Sequence, residues 1–159
     1  MIEILEMRDG EIYDLLTRVG YGHLACSRDD QPYVLPIYYV YDGTDIIIYT
    51  TAGQKSEIIN GNPKVCLQVE EILPDGAWRS IVITGEASQI VDPAEREQAV
   101  ELVRSFNPTL LPALAIKWAN DWMRKNVEVV YRVKILSAAG RFTSDIQIAS
   151  ASARPPFGN

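Results

Sequence analysis

The sequence predicts a mainly β protein, an antiparallel barrel of about six strands with two or three helices on its outside. Three observations predict this fold. β-Branched and aromatic runs follow one another along the chain, short turns separate them, and helical periodicity is confined to a few segments. Strands and helices do not alternate as they would in a parallel sheet, so an antiparallel barrel fits better than a doubly wound fold.

Each element carries its own local signal. Apolar residues three to four apart predict helices, β-rich runs predict strands, and clusters of Gly, Pro, Asp and Asn separate them. The predicted helices span residues 8–19, 54–60 and 94–106, and the predicted strands span 23–27, 33–41, 46–51, 64–71, 78–91 and 126–136. Segment 107–125 is less regular, and its Trp118 and Trp122 are more typical of core or dimer packing than of a ligand site.

The third helix and the C-terminal part have sharper boundaries. Asp92 is predicted to cap that helix, with Pro93 at its first position. Four of its apolar side chains are expected to face inward, namely Val100, Leu102, Val103 and Phe106. After Ser137 the chain becomes small and polar, which predicts a single domain over residues 1–140. Residues 141–159 are expected to form an extended or partly disordered arm.

Charge and composition exclude several classes of function. The net charge of −6 and the lack of a basic stripe argue against a nucleic-acid partner. No apolar run reaches the roughly 20 residues needed to span a bilayer, and the acidic start does not resemble a signal peptide, so we expect a cytoplasmic protein. Cys26 and Cys66 are more typical of free thiols than of a disulfide. With His23 as the single histidine, no histidine-rich metal site is possible.

The common catalytic motifs are absent from the sequence. It contains no GxSxG, P-loop, GxGxxG or HExxH pattern, and nothing places its one histidine near a nucleophile. No side chain is therefore identified as catalytic. This pattern favours a protein whose cofactor supplies the chemistry.

Residues 21–87 carry five short elements in a fixed order. They read G-x-L-A, Q-P-Y-V-x-P-I, I-Y-T-T followed by G-x-K, N-P-x-V-C, and W-R-S-I-V-I-x-G-E-A. This series resembles the pyridoxamine 5'-phosphate oxidase-like flavoproteins, and within them the branch of nitroimidazole-resistance proteins. The resemblance implies an FMN-binding split β-barrel that forms a homodimer with its cofactor at the subunit interface.

The resemblance also implies which residues hold the cofactor. Val34, Leu35, Pro36 and Ile37 would run along the isoalloxazine ring, Tyr49, Thr50 and Thr51 would lie near the phosphate, Lys55 would pair with it, and Arg79 and Ser80 would approach from the other side. Both threonine hydroxyls, the backbone at Gly53 and the lysine would converge on one anion, while Leu35, Pro36 and Ile37 would form an apolar face for the ring. Pyridoxamine phosphate oxidases proper have arginines at the positions of Val34 and Gln54, and they carry a C-terminal arginine motif that is not recognisable here. Pyridoxamine phosphate oxidase activity is therefore not expected of this protein.

Three hypotheses about the function remain open. The resemblance favours an FMN-dependent oxidoreductase that reduces a small electrophile, such as a nitroaromatic or quinone-like compound. The alternatives are a non-catalytic flavin- or haem-binding carrier or sensor, and a barrel without cofactor that serves as an interaction module. Related split barrels bind haem or deazaflavin. His23 could ligate haem or donate a proton, although a packed histidine is commoner, and Lys55 could be an ordinary surface lysine.

Overall fold

The computed structural model describes residues 2–106 and 128–145. Within these ranges the chain forms seven strands and three helices. In chain order they are β1 (Ile2–Glu6), α1 (Asp9–Val19), β2 (Tyr21–Arg28), β3 (Gln31–Tyr41), β4 (Ile46–Thr51), α2 (Gln54–Gly61), β5 (Lys64–Ile72), β6 (Trp78–Gln89), α3 (Pro93–Phe106) and β7 (Glu128–Asp145). The expectations for segment 107–125, with Trp118 and Trp122, lie outside the described residues.

The strands form a closed antiparallel barrel. Their order is β1-β7-β4-β3-β2-β5-β6, and a further pairing of β6 with β7 closes the ring. Strands β2 to β7 thus make the barrel, while β1 pairs only with the far end of β7, from Glu6↔Arg141 to Ile2↔Asp145. The predicted mainly β fold is confirmed, and β1 is the strand that the sequence patterns did not indicate.

β7 is longer than predicted. The predicted strand ended at Leu136, whereas β7 continues to Asp145 and pairs in turn with β4, β6 and β1. Small residues make this continuation possible, because a Cβ atom on Gly140 would lie only 2.7 Å from the Met7 sulfur. The expected domain boundary at residue 140 therefore falls inside a strand. The expected arm beyond residue 145 lies outside the described residues.

The main core fills the barrel interior. Alternate residues of every barrel strand point inward, and among the largest fully buried side chains are Leu24, Ile46, Ile48, Leu67, Ile81, Ile83 and Tyr131. α1 packs on the barrel through its buried residues Leu15 and Leu16. The Tyr39 hydroxyl donates to the Leu16 carbonyl oxygen at 2.6 Å, and burial raises the pKa of this tyrosine.

A second apolar cluster holds α3 against the outside of the barrel. Ala99 and Val103 pack there with Ile47 and Val130, and the Asp92 carboxylate accepts from the Glu95 amide at 2.9 Å, which confirms the predicted cap. The expectation for Phe106 is wrong. It is the last residue of α3 and is 63% exposed, because Val103 is the last helical side chain that the sheet buries.

The described residues also settle the state of the cysteines, the character of the helices and the arrangement of possible metal ligands. Cys26 and Cys66 are both free thiols, as predicted, and burial raises the pKa of each. Among the described helices, none has the length and apolar character needed to cross a bilayer. In the described ranges, no three His, Cys, Asp or Glu side chains cluster as metal ligands would.

Candidate functional site

The barrel wall is split between β3 and β4. β3 pairs with β2 from Gln31 to Tyr38, but its pairing with β4 covers only Tyr39 to Tyr41. β4 nevertheless continues to Thr51, paired with β7. The first half of β3 therefore has one ladder edge without a strand partner among the described residues. Backbone N–H and C=O groups on such an edge are free to bind a ligand.

The four predicted residues of β3 lie along this open edge. Strand alternation turns Leu35 and Ile37 toward the barrel interior, and Ile37 is 6% exposed. Val34 and Pro36 point outward and are exposed. The expected apolar face of Leu35, Pro36 and Ile37 together is wrong, because Pro36 lies on the other side of the strand. What this edge offers to a ligand is its backbone, together with the side chains of Val34 and Pro36.

The three predicted residues of β4 lie at the end of that strand. Tyr49 packs outward against the cluster beneath α3. Thr50 and Thr51 are half-buried and pair with Val129 and Glu128 of β7. Neighbouring strand residues face opposite sides, although Thr51 is the last residue of the strand. The expected convergence of both threonines on one anion stays a prediction.

Lys55 is the second residue of α2, just after the end of β4. It is half-buried, and burial lowers the pKa of its ammonium group. Across residues 2–106 and 128–145, no carboxylate lies within 4 Å of that group. A partly desolvated cation without a counter-ion is unfavourable in the free protein, and an anionic ligand would relieve it.

Ser56, which follows Lys55, was not among the site residues predicted from the sequence. It is 7% exposed, and its hydroxyl oxygen has no hydrogen-bond partner within the described structure. The first intrahelical bonds join the amides of Ser56 and Glu57 to the Gly53 carbonyl at 3.0 and 3.2 Å, and no side chain caps the helix. The amides of Gln54 and Lys55 precede these bonds and remain available. The pattern that could have indicated Ser56 from the sequence is a serine beside a lysine in the first turn of a predicted helix.

α2 is held firmly against the barrel. Ile58 and Ile59 are buried in the core, and the Asn62 side chain donates to the Ser27 carbonyl at 3.1 Å. The Tyr131 hydroxyl donates to Asn60 Oδ1 at 3.4 Å. These contacts hold the second half of α2 against the barrel.

The structure separates Arg79 from Ser80. Arg79 lies on the side of α1, exposed, 3.8 Å from a Glu71 carboxylate oxygen. Arg18 binds the same carboxylate at 3.0 Å, and this hydrogen bond is the main reason that the pKa of Glu71 is lowered. Ser80 faces the outer surface of the barrel, half-buried, so it lies on the same face as Val34 and Pro36.

Polar side chains surround Ser80 on that outer face. Gln68 Nε2 donates to Ser80 Oγ and to Glu70 Oε2, both at 3.2 Å. Gln68 Oε1 lies 3.3 Å from Nδ1 of His23, whose ring meets the Tyr21 ring edge-on. Neither His23 nor Gln68 was connected to Ser80 by the sequence patterns, because the link requires three strands to be paired in register.

A cleft adjoins these groups. It has a volume of about 570 Å³, and Trp78, Ser80 and Val82 are among its lining residues. Four large apolar side chains are exposed on the outer barrel face, namely Tyr21, Val34, Tyr38 and Val82.

Comparison with known proteins places this fold in a family. The sequence profile described as pyridoxamine 5'-phosphate oxidase matches residues 8–142. An uncharacterised protein of Rhizobium meliloti is 42% identical over 69 residues, which are 43% of this chain and 46% of the relative, so the match spans less than half of that relative.

Solved structures share the architecture. A FAD-binding protein of Mesorhizobium loti superposes with a TM-score of 0.75 at 27% identity, covering 91% of this chain and all of the other. A suggested 5-nitroimidazole antibiotic resistance protein of Bacteroides thetaiotaomicron gives a TM-score of 0.68 at 15% identity over 90% and 89% of the two chains. A FAD and haem binding protein of Mycobacterium smegmatis gives 0.66 at 17% identity over 93% and 79%. The chain therefore belongs to the pyridoxamine 5'-phosphate oxidase-like family, whose split β-barrel it adopts.

Proposed function

We propose that this protein binds FMN at the split between β3 and β4 and uses it as an oxidoreductase toward a small electrophile, such as a nitroaromatic or quinone-like compound. The observation that carries the proposal is the half-buried ammonium of Lys55, which has no counter-ion in the described structure and adjoins the unpaired hydroxyl of Ser56. Among the described residues, neither group has a partner of the kind that a phosphate would supply.

The start of α2 fits a phosphate group. Lys55 provides a cation, Ser56 a hydroxyl, and the helix its two free amides, with Thr50 or Thr51 close by along the chain. Charge-assisted hydrogen bonds of this kind contribute about 1.5–3 kcal/mol each. These donors would hold the phosphate end of the cofactor. Arg79 is not part of this proposal because it pairs with Glu71 on the other side of the wall.

The open edge of β3 fits a flat ring with polar edges. Backbone groups of residues 34–37 would bind the ring edge. Ser80 lies on β6, with β2 and β5 between it and β3, and would approach the ring from the other side. A bound flavin would carry hydride or electrons from a reductant to the substrate. The chain's own contribution is to bind and orient these molecules and to exclude water, and no side chain is assigned as a general acid.

An FMN titration tests the proposal. Lys55→Met should weaken FMN binding about 10- to 100-fold, the range expected for one charge-assisted hydrogen bond, and should leave riboflavin binding unchanged because riboflavin has no phosphate. Lys64→Met is the matched control, since Lys64 is exposed at the start of β5. A colourless purified protein whose melting temperature does not respond to FMN would contradict the proposal.

We further propose a cytoplasmic homodimer with the cofactor at its interface. The supporting feature is the exposure of large apolar side chains on the outer face, among which Val34 is 63% exposed beside the open edge. Val34→Asp should convert the dimer to a monomer in size-exclusion chromatography and reduce FMN retention. Val91→Asp, at a 77% exposed position after β6, should change neither. A wild-type monomer that retains FMN would rule out the shared site.

A non-catalytic carrier or sensor is the second candidate. His23 favours it, because Nδ1 lies against Gln68 while Nε2 has no hydrogen-bond partner within the described residues. A haem ligand at Nε2 would produce a Soret band that His23→Ala abolishes. The absorption spectrum of the purified protein separates FMN, deazaflavin and haem, and the released chromophore separates FMN from FAD.

A further inference from the structure

Four polar side chains form a continuous chain of hydrogen bonds across three strands of the outer barrel face. They are His23 on β2, Gln68 and Glu70 on β5, and Ser80 on β6. The amide of Gln68 is the centre of this chain, because it contacts each of the other three within 3.3 Å. Its orientation therefore decides the direction of every bond.

Glu70 fixes that orientation. An ionised carboxylate only accepts hydrogen bonds, so the Gln68 atom 3.2 Å from Glu70 Oε2 must be the NH₂ nitrogen. A flipped amide would bring two oxygen atoms together at that distance. Gln68 Oε1 consequently faces His23, and Nδ1 of His23 must carry the hydrogen of this bond.

The hydrogen-bond chain ends at Ser80. Gln68 directs one amide hydrogen to Glu70 and the other to Ser80 Oγ, so the serine oxygen accepts. The hydroxyl then keeps its own hydrogen, and within residues 2–106 and 128–145 no acceptor takes it. Ser80 lines the cleft of about 570 Å³, whose walls include Trp78 and Val82.

We propose that Glu70, Gln68 and His23 form a directed hydrogen-bond chain that presents the Ser80 hydroxyl as a donor to an acceptor oxygen of the bound ligand. The acceptor is a carbonyl oxygen of the flavin ring or an oxygen of a nitro- or quinone-type substrate. For the identity of this ligand the inference rests on the proposed function. The direction of the chain does not, because it follows from contacts within the protein.

The histidine tautomer tests the direction. The protein has a single histidine, so ¹⁵N-labelled protein gives one set of imidazole signals. For the neutral ring we expect the Nδ1–H form. Glu70→Gln should allow the Gln68 amide to flip and the second tautomer to appear, whereas Glu86→Gln, an exposed carboxyl on β6, should leave the spectrum unchanged. An Nε2–H form in the wild type would overturn the proposal.

Ligand binding tests the donor role. Ser80→Ala should weaken binding at the acceptor about tenfold, as expected for one lost hydrogen bond, and Thr84→Ala on the exposed side of the same strand should not. Gln68→Glu should have an effect similar to that of Ser80→Ala, because its carboxylate would accept the serine hydrogen and reverse the chain. A weaker FMN affinity identifies the flavin as the acceptor, and a raised KM for nitrobenzene at unchanged FMN affinity identifies the substrate.

The two proposals fail in different ways. Unchanged FMN affinity and unchanged KM in Ser80→Ala and Gln68→Glu would overturn the donor role while FMN binding itself stands. A wild-type protein that binds no FMN but shows the Nδ1–H tautomer would contradict the proposed function and still support the direction of the chain.

Discussion

The wall formed by β5, β6 and β7 and the split between β3 and β4 are built on opposite principles. In the closed wall the ladders run almost the full length of the strands, from Lys64↔Glu86 to Ile72↔Trp78 and from Arg79↔Phe142 to Gln89↔Tyr131. At the split, pairing stops after three residues, and a cation and a hydroxyl lack partners in the described structure. Paired backbone groups stabilise the first region. In the second, the polar groups that lack partners among the described residues are those we propose to bind a ligand.

The largest expected effect is in the closed wall. A Cβ atom on Gly85 would lie 2.5 Å from the Lys134 carbonyl oxygen and 2.7 Å from a Val133 methyl group. Because the first of these is a backbone atom, the ladder itself would have to move. Gly85→Ala should therefore destabilise the protein by about 2–3 kcal/mol and lower its melting temperature by roughly 5–10 °C in a thermal melt.

The matched glycine at the split should behave differently. A Cβ atom on Gly53 would meet nothing within 4 Å, and the φ angle of 170° is extended backbone. Gly53→Ala should change the melting temperature of the free protein little. Equal losses of stability at Gly53 and Gly85 would remove the contrast between the two regions.

An intermediate effect, with opposite signs for stability and binding, is expected at Ser56. Ser56→Ala removes a buried hydroxyl that has no partner in the described structure, so the free protein should gain about 1 kcal/mol in its free energy of unfolding. The same change should weaken FMN binding about tenfold, because the proposed phosphate site would lose one donor. Urea unfolding and FMN titration measure the two quantities. A destabilised variant with unchanged FMN affinity would show that this serine serves packing alone.

The smallest effect is expected where the split begins. Arg132 joins Asp42 and Asp45 of the β3–β4 turn to Glu95 of α3, at 3.1, 3.3 and 3.2 Å. Burial acts to raise the pKa of Asp42, but the Asp45 and Thr44 amides and Arg132 outweigh it, so the pKa is lowered. The resulting stabilisation is present above the unfolded pKa of about 3.9 and is lost as the pH falls through the lower folded value.

Asp42→Asn tests this assignment. The variant should be less stable than the wild type by less than about 1 kcal/mol at neutral pH, since these ion pairs are partly exposed. The difference should shrink as the pH falls below about 4, which urea unfolding at several pH values would show. A difference that is the same at every pH would mean that packing, rather than the Asp42 charge, is responsible.

Local patterns predicted most of the fold. The α1, β4 and α2 boundaries, the Asp92 cap and the antiparallel barrel all follow from periodicity and turn residues, which act over a few neighbouring positions. The errors occur where distant contacts decide. Phe106 has an apolar side chain but lies beyond the buried part of α3, and β7 continues through small residues because Gly140 fits against Met7.

The candidate site divides in the same way. Lys55 and Ser80 could be selected from their motifs, but the motifs could not show that Arg79 turns to Glu71 or that Leu35 and Pro36 face opposite sides. Ser56, His23 and Gln68 gain their roles only from burial and from strand register. Residue types and spacing by themselves determined the strands, the helices and the lysine-bearing first turn of α2. Tertiary structure alone decided where pairing stops and which polar groups are left without partners, because both depend on contacts between strands that are far apart in the chain.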